Sequence, residues 1–221
     1  MARIAVIIMA KEPQAGAVKT RLCPPLSAPE ASHLYTCFLR DKIEQVRTLQ
    51  GVDPILAYDP ASAQTYFATL ADDFRLIAQQ GDDLSSRLIN VFQQVFSRGY
   101  DGVVATDSDS PTLPTAFLQQ AIEALSVSQD DVVIGPSDDG GYYLIGLRQP
   151  HRMLFEDMPW STSAVYAETQ RRATRAALRV AALPTWFDID TETDLERLRH
   201  QLNELGETAP RHTRQYFRSS T

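Results

Sequence analysis

The sequence predicts an α/β fold, a three-layer α/β/α sandwich with a mostly parallel central sheet. Short apolar runs rich in β-branched residues alternate with longer segments whose apolar residues recur at helical spacing. Most of the apolar runs are continuous, which is typical of strands covered by helices on both faces. No internal repeat, low-complexity linker or composition break interrupts this order. Alternating strands and helices of this kind favour one domain around a parallel sheet.

The first half of the chain contains four predicted strands and three predicted helices. Residues 4–9 are continuously apolar, and residues 27–30 are Ser-Ala-Pro-Glu, a capping box that starts the first helix. The third helix is amphipathic through Leu84, Leu88 and Val91. In chain order the elements are strand 4–9, helix 28–49, strand 52–58, helix 61–70, strand 74–78, helix 83–96 and strand 103–106.

The second half of the chain continues the alternation. Its predicted elements are helix 117–125, strand 131–135, strand 142–147, helix 163–176, strand 179–183 and a last helix. Thr191 caps that last helix, with Asp194 at the third position like a capping-box acid. From about Gly206 the chain becomes polar. We therefore expect a single domain at 1–205 and a polar C-terminal tail at 206–221.

Composition excludes several classes of protein. A formal net charge of −7 argues against a nucleic-acid-binding protein, which needs a basic surface. The only cysteines, Cys23 and Cys37, lack metal-ligand spacing, so a zinc site and a disulfide framework are not expected. The apolar start is short and is closed by Lys11, unlike a signal peptide, and no apolar run approaches the ~20 residues of a membrane span. The sequence predicts a cytoplasmic protein and does not indicate its oligomeric state.

Two carboxylates follow the predicted strand 103–106, in the segment Asp107-Ser108-Asp109. The carboxyl end of such a strand is where ligands bind in an open α/β sheet. Neighbouring carboxylates repel each other unless a positive group, most simply a divalent cation, lies beside them. The alternative is that Asp109 or Thr112 only starts the next helix, because both residue types are good N-caps.

The loop after the first strand is basic in a chain that is acidic overall, with Lys11, Lys19 and Arg21 close together. Such cations, with Gly16 allowing close backbone approach, predict a phosphate or diphosphate site. A solvated basic loop is the alternative. A P-loop is not expected because Val18 stands where that motif needs Gly directly before Lys. A Gly-x-Gly-x-x-Gly fingerprint is absent as well.

Three further segments are candidates for the same sheet edge. Asp188-Ile189-Asp190 follows the last strand, and Asp190 could complete a cation site with Asp109, or these acids could only support the helix cap. Asp138-Asp139-Gly140-Gly141-Tyr142 offers a general base and an aromatic surface, although Asp-Gly is also an ordinary turn signal. Trp160 precedes a helix start and is either a substrate platform or part of the core.

Taken in order, these motifs resemble a bacterial family of proteins assigned as glycosyltransferases and often described as associated with arsenosugar biosynthesis. The family belongs to the nucleotide-diphospho-sugar transferase superfamily, which has the GT-A fold, and the resemblance extends from about Arg3 to Leu198. The motifs are Ala10-Lys11-x-Pro13-x-x-Gly16-x-x-Lys19-Thr20-Arg21-Leu22, Ser108-Asp109-Ser110-Pro111-Thr112-Leu113-Pro114, Gly135-Pro136-x-Asp138-Asp139-Gly140-Gly141-Tyr142-Tyr143-Leu144, Pro159-Trp160-Ser161-Thr162 and Asp188-x-Asp190-Thr191.

The resemblance implies a Mg²⁺ or Mn²⁺ ion bound by Asp109, as the principal ligand, and by Asp190. This chain also departs from the family. Asp107 stands where relatives carry Gly, which suggests a contact from Asp107 to ribose or bound water. Ser85-Ser86 replaces Gly-Glu or Gly-Gln before Arg87, a residue that we place with the nucleotide site.

We therefore predict a metal-dependent glycosyltransferase that uses a nucleotide-diphospho-sugar and a small-molecule acceptor. Lys11, Lys19 and Arg21 would neutralise the leaving diphosphate, and Asp139 would be the base. The predicted acceptor site consists of Gly140, Gly141, Tyr142 and Trp160.

Three rival functions are compatible with the same sequence to differing degrees. A nucleotidyltransferase would use a nucleoside triphosphate and a phosphorylated acceptor, and would release pyrophosphate. A non-catalytic nucleotide-binding module would share the fold without turnover. A phosphatase of the haloacid-dehalogenase type fits poorly, because Pro111 stands where that motif has threonine.

Overall fold

The computed structural model describes residues 2–205 and 210–219. Seven strands form one sheet within these residues, in the spatial order β3-β2-β1-β4-β6-β5-β7. The strands are β1 (Ile4–Lys11), β2 (Val52–Asp59), β3 (Arg75–Ala78), β4 (Gly102–Thr106), β5 (Val132–Pro136), β6 (Tyr142–Leu147) and β7 (Val180–Ala182). Only β6 runs against its neighbours, being antiparallel to β4 and β5, so the described sheet is mostly parallel as the sequence predicts.

Helices cover both faces of the sheet and confirm the three-layer α/β/α prediction. The helices are α1 (Ala28–Arg47), α2 (Gln64–Leu70), α3 (Leu84–Phe96), α4 (Thr115–Glu123), α5 (Val165–Arg175), α6 (Glu192–Glu204) and α7 (Arg211–Ser219). One apolar core joins one sheet face to α1, α2 and α4, and another joins the opposite face to α3 and α5. Short 3-10 turns lie at Thr20–Leu22, Ala61–Ala63 and Arg152–Leu154, and a π-helical turn at Ala124–Ser128 follows α4. The described residues contain no helix both long and apolar enough to cross a bilayer.

The capping boxes expected from the sequence are present. Ser27 and Glu30 exchange hydrogen bonds at the start of α1, and Thr191 and Asp194 do the same at the start of α6. These caps fix where the loop after β1 ends and where the acidic segment after β7 ends. Both loops are therefore held in place at the sheet edge that carries the candidate site.

The end of the chain contains a helix that the sequence analysis did not predict. Residues 206–209 and 220–221 lie outside the described residues, but Arg211–Ser219 forms α7, which packs on α1. The helix is capped from another helix, because Asp41 of α1 accepts hydrogen bonds from the backbone N–H groups of His212 and Thr213 at 2.8 Å each. Tyr216 is buried in the core between α1 and α6.

Candidate active site

Segments from four strand ends meet at one edge of the sheet. The residues after β4 and after β7 are joined by the backbone N–H of Ile189, which donates to the Asp109 carbonyl at 3.1 Å. Asp107 is held by its N–H, which donates to the Tyr143 carbonyl at 3.0 Å. Because β6 runs backwards, its first residue, Tyr142, lies at the edge where β4 and β5 end. The predicted acidic, basic and aromatic segments are thus brought together.

Lys19 lies between the two carboxylates that the resemblance assigns to a metal. Its ammonium nitrogen is 2.5 Å from Oδ2 of Asp109 and 2.8 Å from Oδ1 of Asp190. Burial alone would lower the pKa of this lysine, since its side chain is only 5% exposed, but the charges of the two carboxylates outweigh burial and raise the pKa. Lys19 is therefore firmly cationic, and the acids converge on a single positive charge.

The same convergence is compatible with a divalent cation in place of the Lys19 ammonium. One oxygen from each of Asp109 and Asp190 reaches the same point, and hard cations such as Mg²⁺ or Mn²⁺ prefer carboxylate oxygens.

Another acidic group, consisting of Asp41, Glu44 and His212, also has metal-like spacing. The cap of α7 explains that group, because Asp41 and Glu44 accept hydrogen bonds from residues of α7.

A large cavity of about 750 Å³ lies beside this cluster and is lined by the predicted basic residues. Lys11, Lys19, Arg21 and Arg87 all contribute to its wall. Arg21 also approaches Asp190, with 3.3 Å between its Nη1 and Oδ2, while its side chain stays 70% exposed. The predicted phosphate-binding cations are therefore brought to one cavity.

Two glycines near this cavity have different roles. Gly16 does not line it; its φ of +81° serves the turn of the loop after β1. Gly81 accepts a hydrogen bond from Nε of Arg87 at 3.0 Å through its carbonyl, and Arg87 also forms an ion pair with Asp59 at 3.0 Å. Arg87 is thus fixed at the cavity wall although Ser85-Ser86 replaces the family pattern.

Asp107 has a partner that the sequence prediction missed. Nζ of Lys42, whose side chain is fully buried in α1, lies 3.5 Å from Oδ1 of Asp107, and Ser110 donates to the other carboxylate oxygen. Burial lowers the pKa of Lys42 and raises the pKa of Asp107, with the opposite charge of each partner acting against the shift. A lysine at helical spacing from Phe38 and Leu39 on the apolar face of α1 was the available signal.

A second cavity of about 230 Å³ adjoins the first and contains most of the predicted acceptor residues. Tyr142 and Trp160 form a T-shaped pair there, with ring centroids 6.0 Å apart. Gly141 lines this cavity and donates its N–H to Oδ1 of Asp139 at 2.8 Å. Gly140 does not line this cavity, and a Cβ added to it would be 2.3 Å from the Ser163 carbonyl oxygen.

Asp188 is an acid of this cavity whose importance the sequence analysis did not recognise. Its Oδ1 accepts a hydrogen bond from Ser137 at 3.0 Å. Burial, together with the negative charges of Asp190 and Asp107, raises the pKa of Asp188 to about 7. The sequence offered one signal, an acid two residues before Asp190 at the same strand end.

Comparisons with known proteins agree with this architecture. Residues 42–162 match a family described as "Uncharacterized protein conserved in bacteria (DUF2064)". A crystal structure from Desulfovibrio desulfuricans G20, provisionally described as a nucleotide-diphospho-sugar transferase, is 33% identical with a TM-score of 0.91, and the match covers 99% of this chain and 95% of that one. No curated protein matches the sequence.

More distant solved structures share the fold. The 4-diphosphocytidyl-2C-methyl-D-erythritol synthase of Anaerococcus prevotii DSM 20548 has a TM-score of 0.63 at 11% identity, over 91% of this chain and 96% of that chain. A CMP:2-keto-3-deoxy-manno-octonic acid synthetase complexed with CTP has a TM-score of 0.56 at 15% identity, over 92% and 99% of the two chains. Such low identity shows a common fold and nothing about substrates.

Proposed function

This chain belongs to the bacterial DUF2064 family and is 33% identical to a solved structure provisionally described as a nucleotide-diphospho-sugar transferase, and we propose that it is a metal-dependent glycosyltransferase. It takes a nucleotide-diphospho-sugar and transfers the sugar to a small-molecule acceptor. The association with arsenosugars implied by the sequence resemblance stays a prediction.

The observation that carries this proposal is the meeting of two unlike cavities. The large cavity is lined by Lys11, Lys19, Arg21 and Arg87, and the small one by aromatic rings and carboxylates. Asp109 belongs to the walls of both. A donor with its diphosphate against the basic wall would place the sugar at this junction, beside an acceptor in the small cavity.

The basic side chains supply the binding energy for the diphosphate and stabilise the charge that develops on it as it leaves. Charge-assisted hydrogen bonds from lysine and arginine to phosphate are stronger than neutral ones. Lys19 and Arg21 lie nearest to the acid cluster, through their contacts with Asp190, and are therefore assigned to the leaving group. Lys11 and Arg87 bind the remaining part of the nucleotide.

Asp109 and Asp190 are assigned to the cation. When bound, the ion supplies positive charge that offsets the charge of the diphosphate. Lys19 already occupies the position between these carboxylates, so the lysine and the ion compete for the same oxygens.

Asp139, with Asp188 as its neighbour in the same cavity, is assigned to deprotonate the acceptor hydroxyl. Asp139 accepts from the Gly141 N–H with one carboxylate oxygen, and Asp188 accepts from the Ser137 hydroxyl with one. The second oxygen of each carboxylate accepts no hydrogen bond from the described part of the chain. A base must reach the proton it removes, and both carboxylates line the acceptor cavity.

Nucleotidyl transfer is the second candidate function, favoured by the size and charge of the large cavity. A cavity of about 750 Å³ with four cations also suits a nucleoside triphosphate. The cytidylyltransferase-type structures above show that the fold is compatible with that substrate, without showing that this chain uses it.

A thermal-shift panel of nucleotide sugars and nucleoside triphosphates, each with and without Mg²⁺ or Mn²⁺, tests the proposal. A ligand that binds only the folded protein raises its melting temperature. We expect a metal-dependent shift with a nucleotide sugar that Asp109→Asn abolishes and the exposed control Asp72→Asn retains. Shifts only with triphosphates would favour nucleotidyl transfer, and an unchanged metal-dependent shift in Asp109→Asn would refute the metal assignment.

A further inference from the structure

The small cavity indicates which class of acceptor the enzyme takes. Resting on the proposed function, we infer that the acceptor is a small molecule without phosphate or other negative charge, with an apolar or aromatic body and a hydroxyl group. Three properties of the cavity support this inference: its charge, its apolar wall and its size.

The charge of the cavity opposes any anionic acceptor. Four carboxylates line it, those of Asp107, Asp109, Asp139 and Asp188, whereas no lysine or arginine does among the described residues. Lys42 is buried beneath Asp107 and Lys19 lines the large cavity. A cation bound by Asp109 would still leave the carboxylate of Asp139 facing the acceptor. A phosphate placed there would be repelled, because like charges brought together at a binding site are strongly disfavoured.

Much of the remaining lining of this cavity is apolar. It is formed by side chains from the sheet and from α3 and α5, which are Met9, Leu84, Leu88, Ala105, Ile145 and Val165. Apolar side chains of this kind bind the C–H face or the ring of a ligand and form no favourable interaction with a charged group.

The aromatic pair at the cavity favours a ring or a C–H-rich face. Nε1 of Trp160 donates to the Ser85 hydroxyl at 2.7 Å, so the indole offers its ring surface rather than its N–H. The hydroxyl of Tyr142 is buried and has no hydrogen-bond partner among the described residues. A buried hydroxyl without a partner is costly, and an acceptor hydroxyl could supply that partner.

The size of the cavity limits the acceptor to about one ring. Its volume of about 230 Å³ is below the range of roughly 300–1,000 Å³ typical of drug-sized ligands. A single sugar, polyol or phenyl ring fits this limit, and a second nucleotide does not.

The inferred acceptor reacts through its hydroxyl group. Asp139 or Asp188 takes the proton of the acceptor hydroxyl, and the acceptor oxygen bonds to the anomeric carbon of the donor sugar. The bond from that carbon to the diphosphate oxygen breaks, and its electron pair leaves with the nucleoside diphosphate. Nucleotidyl transfer to a phosphorylated acceptor would instead need the phosphate that this cavity disfavours.

Matched pairs of ligands test the inference by direct binding, which does not require turnover. The pairs are 2-phenylethanol with 2-phenylethyl phosphate, and methyl glucoside with its 6-phosphate, measured by ligand-observed NMR titration of the full chain. We expect the neutral member of at least one pair to bind at least about tenfold more tightly than its phosphate. Phosphates that bind as tightly as the neutral members, or no binding by any of the four, would overturn the inference.

Two variants test whether the carboxylates of this cavity cause the preference for neutral ligands over their phosphates. Asp139→Asn and, separately, Asp188→Asn should reduce the ratio of the two dissociation constants, while the exposed control Asp72→Asn should leave it unchanged. A ratio unaffected in both cavity variants would also overturn the inference. If neutral ligands bind as expected but no nucleotide sugar is consumed, the proposed transfer fails while the assignment of the cavity stands.

Discussion

The ammonium nitrogen of Lys19 lies 2.5 Å from Oδ2 of Asp109, and this ion pair connects the basic loop after β1 with the acidic segment after β4. The sequence predicted a phosphate site and a metal site as separate features. In the folded chain they share one lysine, because Lys19 also contacts Asp190 at 2.8 Å. Binding of a divalent cation and binding of phosphate are therefore expected to be linked through Lys19.

Replacement of Lys19 by methionine should strengthen the binding of Mn²⁺ in the absence of nucleotide. The variant removes the ammonium that competes with the metal for Asp109 and Asp190. The measurement is the rise in melting temperature caused by Mn²⁺ alone. Lys11→Met is the matched control, because Lys11 lines the large cavity without an ion pair in the described residues. Equal Mn²⁺ effects on wild type and Lys19→Met would show that no competition exists.

Replacement of Lys42 by methionine should destabilise the protein by about 3 kcal/mol, because it leaves Asp107 largely buried without its counter-charge. Urea unfolding at neutral pH measures the change in the free energy of unfolding. The double variant Lys42→Met with Asp107→Asn should recover much of this loss, since no unpaired charge remains. A double variant as unstable as the single one would show that the loss of stability comes from altered packing around residue 42 and not from the broken ion pair.

Replacement of Gly140 by alanine should destabilise the fold and disturb the turn that holds Asp139. A Cβ at this position would lie 2.3 Å from the Ser163 carbonyl oxygen, and φ is +90°. Gly51→Ala is the matched control, because its φ is +72° but a Cβ there meets no atom within 4 Å. We expect Gly51→Ala to lose only the ~1–2 kcal/mol typical of left-handed backbone at a non-glycine residue, and Gly140→Ala to lose more. Equal losses of unfolding free energy in the two variants, measured by urea unfolding, would show that the contact with Ser163 adds nothing to the cost.

Replacement of Asp41 by alanine should loosen α7 from α1. The carboxylate accepts hydrogen bonds from the N–H groups of His212 and Thr213 at the start of α7. Loss of such a cap typically costs ~1 kcal/mol. Faster hydrogen exchange confined to residues 211–219 is the expected result, with Asp72→Ala as the control. Unchanged exchange would mean that other contacts of α7, such as that of His212 with Glu44, hold the helix on α1 without this cap.

Most of the fold was predictable because local patterns and long-range packing agree. Continuous apolar runs predicted the strands, and the capping boxes at Ser27 and Thr191 predicted helix starts that the structure contains. The reversed direction of β6 was not predictable, since a buried strand has the same apolar pattern in either direction. Helix α7 was missed because its cap, Asp41, is about 170 residues away in the chain.

The candidate site was predictable in part for a related reason. Parallel strands place their carboxyl ends at one edge, so the meeting of Asp109 and Asp190 followed from topology. The partner of Asp107 is a lysine from the middle of α1, which sequence spacing links to no strand end. The environment of Asp188 depends on charges from three loops and on burial, which sequence spacing does not give.

The most direct test of the central claim is analysis of the products released from a panel of nucleotide sugars and nucleoside triphosphates, with Mn²⁺ and a neutral hydroxyl-bearing acceptor present. Glycosyl transfer predicts release of nucleoside diphosphate from one nucleotide sugar, dependent on the acceptor and the metal and lost in Asp109→Asn. Release of pyrophosphate from a nucleoside triphosphate, with every nucleotide sugar left intact, would contradict it.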